Sequence, residues 1–376
     1  MKRSIKLITV FGIPIDINYS WFIIFGLVIF TLAQGIFPLE IPDLNPLIYW
    51  LMAIFSAILL FASLLAHELS HSLVAVRNNL PISGITLFVF GGVAHLEKEP
   101  TSPSIELKMA AAGPAMSFSL GIIFFALTQL LYHFGAPNYL LSITDYLFLI
   151  NVIVGIFNLI PGFPLDGGRI LRSLIWWRTN NLRKATGIAS AFGKGFAFFL
   201  MAFGLIRLFN GEIISGVWFI FIGFFLQEAA EVSYRQVVMN KILSGVKVSD
   251  LMTRDVITVP AGITLDQLLE KYFFRFRFAS FPVIEDDQLL GLITLHDIKE
   301  VEREKWPQVT VREIMIPVND KIIINKESEA TDALAKMASS GSGRLLVVDN
   351  SKLIGILSQR DVMRLFEFKA EIEEED

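Results

Sequence analysis

The sequence contains no cysteine in 376 residues. That excludes a disulfide framework and a thiolate metal site, so any bound metal must rest on histidine and carboxylate. Charge is scarce as well. Asp, Glu, Lys and Arg make up 18 % of the chain, against about 25 % in soluble domains. The formal net charge is −4, so there is no excess of cations to neutralise phosphates, and nucleic acid is excluded as a partner. What the chain has in place of charge is apolar length: 53 % of it is hydrophobic and the mean hydropathy is +0.58. An integral membrane protein is the class these numbers fit. The basic start Met1-Lys2-Arg3-Ser4 leads into an apolar run too long for a removed signal peptide, with no clear small-residue cleavage site.

Six apolar runs precede residue 230: Tyr19–Phe37, Leu47–Val76, Met109–Phe134, Tyr146–Ile160, Ile188–Leu208 and Ile213–Leu226. The fourth and sixth are near the lower limit for a spanning helix. Lys194, near the start of the fifth, is expected to snorkel to the interface. Basic residues set the orientation. Lys2, Arg3 and Lys6 precede the first run; Arg77, Lys98 and Lys108 follow the second; Arg169, Arg172, Arg178, Arg183 and Lys184 follow the fourth. Both termini are therefore expected in the cytoplasm, most simply at the cell membrane.

The second run contains His67-Glu68-Leu-Ser-His71. Residues four apart share a helix face, so both imidazoles can reach one metal ion, with Glu68 beside them. This H-E-x-x-H spacing is the zinc metalloprotease pattern. On a soluble helix it can arise by chance. Within an apolar span an acidic group costs roughly 2.5–3.5 kcal/mol, which favours a functional role.

A third ligand is available. The fourth run ends in Asn158-Leu-Ile-Pro-Gly-Phe-Pro-Leu-Asp166-Gly-Gly-Arg169, where Pro161, Gly162 and Pro164 break the helix. Topology brings Asp166 to the membrane depth of His71. His67, His71 and Asp166 supply the three protein ligands of a catalytic zinc, leaving one position for water. Glu68 is the candidate base, and Asn158 a candidate partner for substrate backbone or oxyanion. Asp166 alone would read as an Asp-Gly turn residue. His95 is placed at the interface and His133 on the far side of the membrane.

Between the second and third runs, Ile82–Glu97 holds two β-rich stretches flanking Gly91-Gly92, which predicts a hairpin turning at those glycines. Its edge could pair with an extended peptide, making Gly91 and Gly92 candidate substrate-binding positions; a plain connecting hairpin is the other reading. Ala110–Ala115, with Gly113-Pro114, is read as close helix packing.

The two distant motifs, H-E-x-x-H and N-x-x-P-x-x-P-L-D-G-G, together with Gly12-Ile-Pro-Ile-Asp16 before Ser20-Trp21 and with Gly113-Pro114, resemble the site-2 protease family of intramembrane zinc metalloproteases. The resemblance covers roughly residues 1–230. It implies cleavage of single-pass transmembrane proteins in or near the lipid bilayer. By the family pattern His67, His71 and Asp166 correspond to the zinc ligands and Glu68 to the base. It also implies gating by the first, fifth and sixth spans.

Composition shifts near Glu228. Residues 231–246 read as a helical linker, followed by an internal repeat at a spacing of about 64 residues. Val248-Ser-Asp-Leu-Met252 matches Val311-Arg-Glu-Ile-Met315, and Gly291-Leu-Ile-Thr294-Leu-His-Asp297 matches Gly355-Ile-Leu-Ser358-Gln-Arg-Asp361. Val283-Ile284 and Leu345–Val348 are β-rich, whereas Thr264–Tyr272 and Ala330–Ala338 are helical. Phe276 and Phe278 are read as packing residues. The repeat resembles a tandem pair of CBS domains, with units at 247–305 and 306–367. The resemblance implies adenine-nucleotide binding through Thr294, Asp297, Ser358 and Asp361, or a homodimerisation module without ligand. Residues 368–376 form an acidic tail, expected to be disordered.

The expected architecture is thus a membrane domain of about six helices with a β-hairpin, followed by a soluble α/β tandem pair. The expected function is an intramembrane zinc endopeptidase, regulated by nucleotide at the pair. The alternative is a CBS-regulated metal-ion transporter or channel, in which the trio would be a transport site. Glu68 separates the two, because a transport site needs no spare carboxylate.

Overall fold

The computed structural model describes residues 4–89, 91–96, 99–350 and 352–374. The expectations that rest on Lys2, Arg3, Glu97, Lys98 and residues 375–376 lie outside it. The chain divides into two compact units, residues 1–237 and 238–376.

The first unit opens with two strands, β1 (Ser4–Val10) and β2 (Ile13–Asn18), joined at Phe11-Gly12, ahead of the first apolar run. Asn18 then caps helix α1 (Tyr19–Thr31) by accepting from Ser20 N–H at 3.0 Å. A π-turn at Leu32–Ile36 carries this helix into α2 (Phe37–Glu40). Asn45 caps α3 (Pro46–Arg77), with proline at the first helical position where its missing N–H costs nothing. Strands β3 (Ile82–Phe88) and β4 (Gly91–Leu96) follow. Next come α4 (Pro103–His133), α5 (Asn138–Asn158), α6 (Asp166–Thr179), α7 (Leu182–Phe209) and α8 (Ile213–Leu243).

Six helices among the described residues are long and apolar enough to cross a membrane: α1 with α2, then α3, α4, α5, α7 and α8. This is a multi-pass membrane protein. The fourth span is longer than its apolar run suggested. Ser142 and Thr144 sit inside α5 because Ser142 donates to Glu40 and Thr144 accepts from Thr128 at 2.7 Å, so their burial is satisfied. The sixth span also runs on, because the segment read as a separate linker is the end of α8. Lys194 does not merely snorkel; it forms an ion pair with Glu231 of α8.

The four strands make one sheet in the order β1-β2-β3-β4, with β2 and β3 parallel and the outer pairs antiparallel. Its inner face is Ile13, Ile15, Ile17, Ile85 and Leu87, all buried. Gly91 and Gly92 are not the hairpin turn. They form the first residues of β4, opposite Phe88 and Leu87.

The second unit contains two sheets, each the heart of one repeat. The first repeat comprises α9 (Val248–Leu251), β5 (Val259–Pro260), α10 (Leu265–Leu268), α11 (Phe274–Phe276), β6 (Ser280–Glu285), β7 (Gln288–Thr294) and α12 (Leu295–Lys299). The second comprises α13 (Val311–Ile314), β8 (Ile316–Pro317), β9 (Ile323–Asn325), α14 (Ala330–Ser340), β10 (Arg344–Asp349), β11 (Lys352–Ser358) and α15 (Gln359–Glu374). The repeats exchange their leading segments. β8 pairs with β7, and Thr253 pairs with Ile356. Val248 is buried among residues of the second repeat and Val311 among those of the first.

Two local expectations are corrected. The helix foreseen over Thr264–Tyr272 is interrupted by a π-turn at Leu269–Phe273, which turns Leu269 and Phe273 both into the core. The acidic segment is helical through Glu374, because α15 continues past its anchors Val362 and Leu365. Phe276 and Phe278 stack on one another and against Phe281, consistent with packing.

Candidate metal centre

The three helices α3, α4 and α6 build the site. On α3, His67 and His71 stand one turn apart with ring centroids 4.9 Å from each other. Asp166 is the first residue of α6. Its Oδ2 lies 3.1 Å from His67 Nε2 and 3.2 Å from His71 Nε2. The three candidate ligand atoms are within 4.8 Å of one another. The loop from Asn158 to Asp166 brings the carboxylate there, ninety-nine residues from His67.

The outer nitrogens are occupied. His67 Nδ1 lies 2.8 Å from Ser117 Oγ, and His71 Nδ1 lies 2.7 Å from the carbonyl oxygen of Met109, both on α4. A carbonyl only accepts, so His71 donates its Nδ1 proton there and turns Nε2 inward. Such outer partners are how proteins aim histidine ligands at a metal.

Gly113 of α4 forms the floor. A Cβ built there would overlap Nε2 of both histidines. By sequence this glycine belongs to a stretch that suits close helix packing; in the fold its missing side chain is what leaves room between the imidazoles and α4. Two inward nitrogens, a carboxylate oxygen and a cradle that a methyl group would fill fit a zinc ion with nitrogen and oxygen ligands.

Glu68 lies beneath β4. A Cβ on Gly92 would stand 2.5 Å from Glu68 Cγ and 3.2 Å from Cδ. Only glycine lets the strand pass this close. Gly91, next to it, takes a φ of +125°, a region that side chains avoid. β4 is an edge of its sheet among the described residues.

The other candidate residues are placed as follows. Asn158 ends α5 and donates its amide to Val154 O at 3.1 Å, so its side chain is engaged with its own helix. His95 Nε2 lies 2.9 Å from Thr86 Oγ1 on the exposed face of the sheet. His133 is the last residue of α4, at the end remote from Met109. Arg172, counted above among the orienting cations, is 4 % exposed and forms an ion pair with Glu106.

In the second unit, Thr294 donates its O–H and N–H to Asp297 Oδ2 at 2.7 and 2.8 Å, while Asp297 N–H donates back to Thr294 Oγ1 at 3.3 Å. Ser358 and Asp361 repeat this, at 2.6, 2.9 and 3.3 Å. Each pair is a capping box starting a helix. The G-x-x-[T/S]-x-x-D signature therefore has a local structural task. Its glycines are the close-approach points of the strand exchange: a Cβ on Gly291 would strike Ile316 O, and one on Gly355 would strike Met252.

Comparison with known proteins agrees with this geometry. Residues 55–141 and 135–202 match peptidase family M50. Residues 248–304 and 311–367 each match the CBS domain. A protein from Synechocystis is 35 % identical over 373 residues, which is 98 % of this chain and 97 % of the relative. A zinc metalloprotease from Methanocaldococcus jannaschii is 32 % identical over 377 residues, 100 % of both chains. A solved site-2 protease from the same organism is 32 % identical, covers 62 % of this chain and 95 % of its own, and superposes with a TM-score of 0.42. The full-length relationship to a zinc metalloprotease decides against the transporter reading. With its helical membrane unit and paired C-terminal repeats, the chain belongs to the site-2 protease family of zinc metalloproteases, peptidase family M50, and carries a tandem CBS-domain pair.

Proposed function

We propose that this protease hydrolyses peptide bonds of single-pass transmembrane proteins within or near the bilayer. In this reading His67, His71 and Asp166 hold one zinc ion and Glu68 is the general base. The observation that carries it is the convergence of both Nε2 atoms on Asp166 Oδ2, at 3.1 and 3.2 Å, inside the membrane unit. A zinc ion held there supplies Lewis acidity, which makes water a competent nucleophile near neutral pH. Glu68 takes a proton from the attacking water and returns it to the leaving amide nitrogen.

The substrate must first unwind, since the carbonyl and amide of a transmembrane helix are engaged with each other. β4, the edge of its sheet among the described residues, offers main-chain partners to the opened segment. Gly92 lets that strand lie close over Glu68, and Gly91 beside it is the other candidate position for substrate. Asn158, after a change of rotamer, would hydrogen-bond the substrate backbone or the developing oxyanion. The basic residues Lys6, Arg77, Lys108 and Arg178 support an orientation with the N-terminus and the CBS pair in the cytoplasm, at the cell membrane.

The CBS pair is read as a regulatory module. Two hydroxyl–carboxylate pairs at strand-to-helix junctions suit the ribose and phosphate of an adenine nucleotide, held by Thr294, Asp297, Ser358 and Asp361. Binding there changes cleavage if the nucleotide has different affinity for two states of the protease. Pairing of two chains through these domains is the other role of the module.

The test is cleavage of a single-pass transmembrane substrate by purified zinc-loaded protein, beside Glu68→Gln. Product from the wild type alone, with equal zinc in both, supports the reading. Equal product from both removes Glu68 as the base.

A further inference from the structure

Among the described residues, the membrane unit buries one ion pair that the chemistry above does not use. Glu106 of α4 is 0 % exposed and Arg172 of α6 is 4 % exposed. Arg172 donates both Nε and Nη2 to Glu106 Oε1. A second carboxylate, Glu99 Oε2, lies 3.4 Å from Arg172 Nη2. Burying such a pair is not an efficient way to gain stability, since packed apolar side chains do as well or better, whereas pairing of this kind can set register.

The neighbours of the pair show what it registers. Glu106, Met109, Gly113 and Ser117 fall on one face of α4, at intervals of three and four residues. From that face Met109 holds His71, Gly113 makes room for both imidazoles, and Ser117 holds His67. Glu106 is the next position on the same stripe, and it holds the helix that begins with Asp166. One face of α4 thus touches every element that contributes a candidate ligand.

Arg172 grips both sides of Asp166. Six residues after it, about 9 Å along the helix, the guanidinium meets Glu106. Three residues before it, Phe163 lies under the same guanidinium, with Arg172 Cζ 5.1 Å from the ring centroid. Between these points the backbone has no slack. A Cβ on Gly167 would strike the carbonyls of Leu159 and Ile160, and one on Gly168 would strike the Gly162–Phe163 backbone. Asp166 therefore moves with α6 as one body, and Arg172 is where that body is fixed to α4.

We infer that Glu106 and Arg172 are a positioning pair, which holds Asp166 in register with His67 and His71. This rests on the reading of the trio as zinc ligands. The pair does not touch the metal or the substrate.

The test uses the purified full chain in detergent, with zinc affinity by chelator competition and the cobalt(II) absorption spectrum as readouts. Glu106→Leu with Arg172→Met removes both charges together, so no unpaired charge remains buried to unfold the protein. Its expected result is an unchanged thermal transition of the zinc-free protein, zinc binding weakened about 10- to 100-fold, and a cobalt spectrum altered from that of the wild type. Asp166→Asn is measured alongside. If it weakens zinc binding while the double variant matches the wild type in affinity and spectrum, the pair is structural only and the inference is overturned. If Asp166→Asn binds zinc as well as the wild type, the ligand reading itself fails, and the inference with it.

Discussion

His71 Nδ1 lies 2.7 Å from the carbonyl oxygen of Met109, on a different helix. That single contact fixes which nitrogen of His71 bears the proton and turns the other toward His67 and Asp166. Ser117 Oγ, 2.8 Å from His67 Nδ1, holds that ring in place as well, although a hydroxyl can donate or accept and so does not choose the tautomer. The serine is the half of this arrangement that mutation can remove. Ser117→Ala is expected to leave the fold intact and to weaken zinc binding about tenfold, in the range for outer partners of ligating histidines. Chelator competition at fixed pH measures it; unchanged affinity would show that His67 needs no such support.

Gly113→Ala tests the floor of the site. Its Cβ would overlap both Nε2 atoms, whereas the Cβ of Gly121→Ala, two turns along the same helix, meets Val152 Cγ2 at 3.2 Å. The first variant is expected to lose zinc and all cleavage, the second to keep both. Alanine also favours helix over glycine by about 0.8–1.0 kcal/mol, so loss of zinc in Gly113→Ala would not come from a weakened helix. Zinc content by atomic absorption separates the two variants.

Gly92→Ala separates base from metal. The new Cβ would stand 2.5 Å from Glu68 Cγ, so the carboxylate or the strand has to give way. General-base catalysis is worth about 10²- to 10⁴-fold, and a displaced Glu68 should forfeit the lower part of that range. The expected result is kcat reduced about 10²-fold with zinc affinity unchanged. A fall in zinc content instead would place Gly92 in support of the metal site.

The CBS signature makes two separable predictions. Thr294→Ala and Ser358→Ala each remove a capping hydroxyl, at an expected cost of about 0.5–2 kcal/mol to the second unit. Differential scanning calorimetry of the full chain detects that with no nucleotide present. If the same positions also bind ligand, added adenine nucleotide raises the transition of the wild type and raises that of both variants less. Equal shifts in all three proteins would leave the pairs with capping alone.

How much of this was legible beforehand differs by element. The spans were readable because apolar length is a local property, and the two exceptions, α5 and α8, are extended by polar residues whose partners lie elsewhere in the chain. The H-E-x-x-H spacing placed His67 and His71 on one helix face, since the period of a helix is fixed. Asp166 required the break at Pro161 and Pro164 and the alternation of spans. β1 and β2 went unnoticed because a strand is stable only with its partners, and β3 arrives after three intervening helical segments. The turn was assigned to Gly91-Gly92 because such dipeptides favour turns; in the folded chain Gly92 is required by the nearness of Glu68.

The sequence by itself determined that this is a membrane protein with a two-histidine, one-carboxylate trio and a duplicated C-terminal module. Those features depend on composition, on helical and strand period, and on self-similarity, all of which are carried along the chain. Only the tertiary structure decided that one stripe of α4 serves every candidate ligand, through Glu106, Met109, Gly113 and Ser117. It also decided that Arg172, one of the cations following the fourth apolar run, is buried against Glu106. The physical reason is the same in each case. A hydrogen bond or ion pair between distant segments is defined by two partners, and a linear pattern shows only one of them at a time.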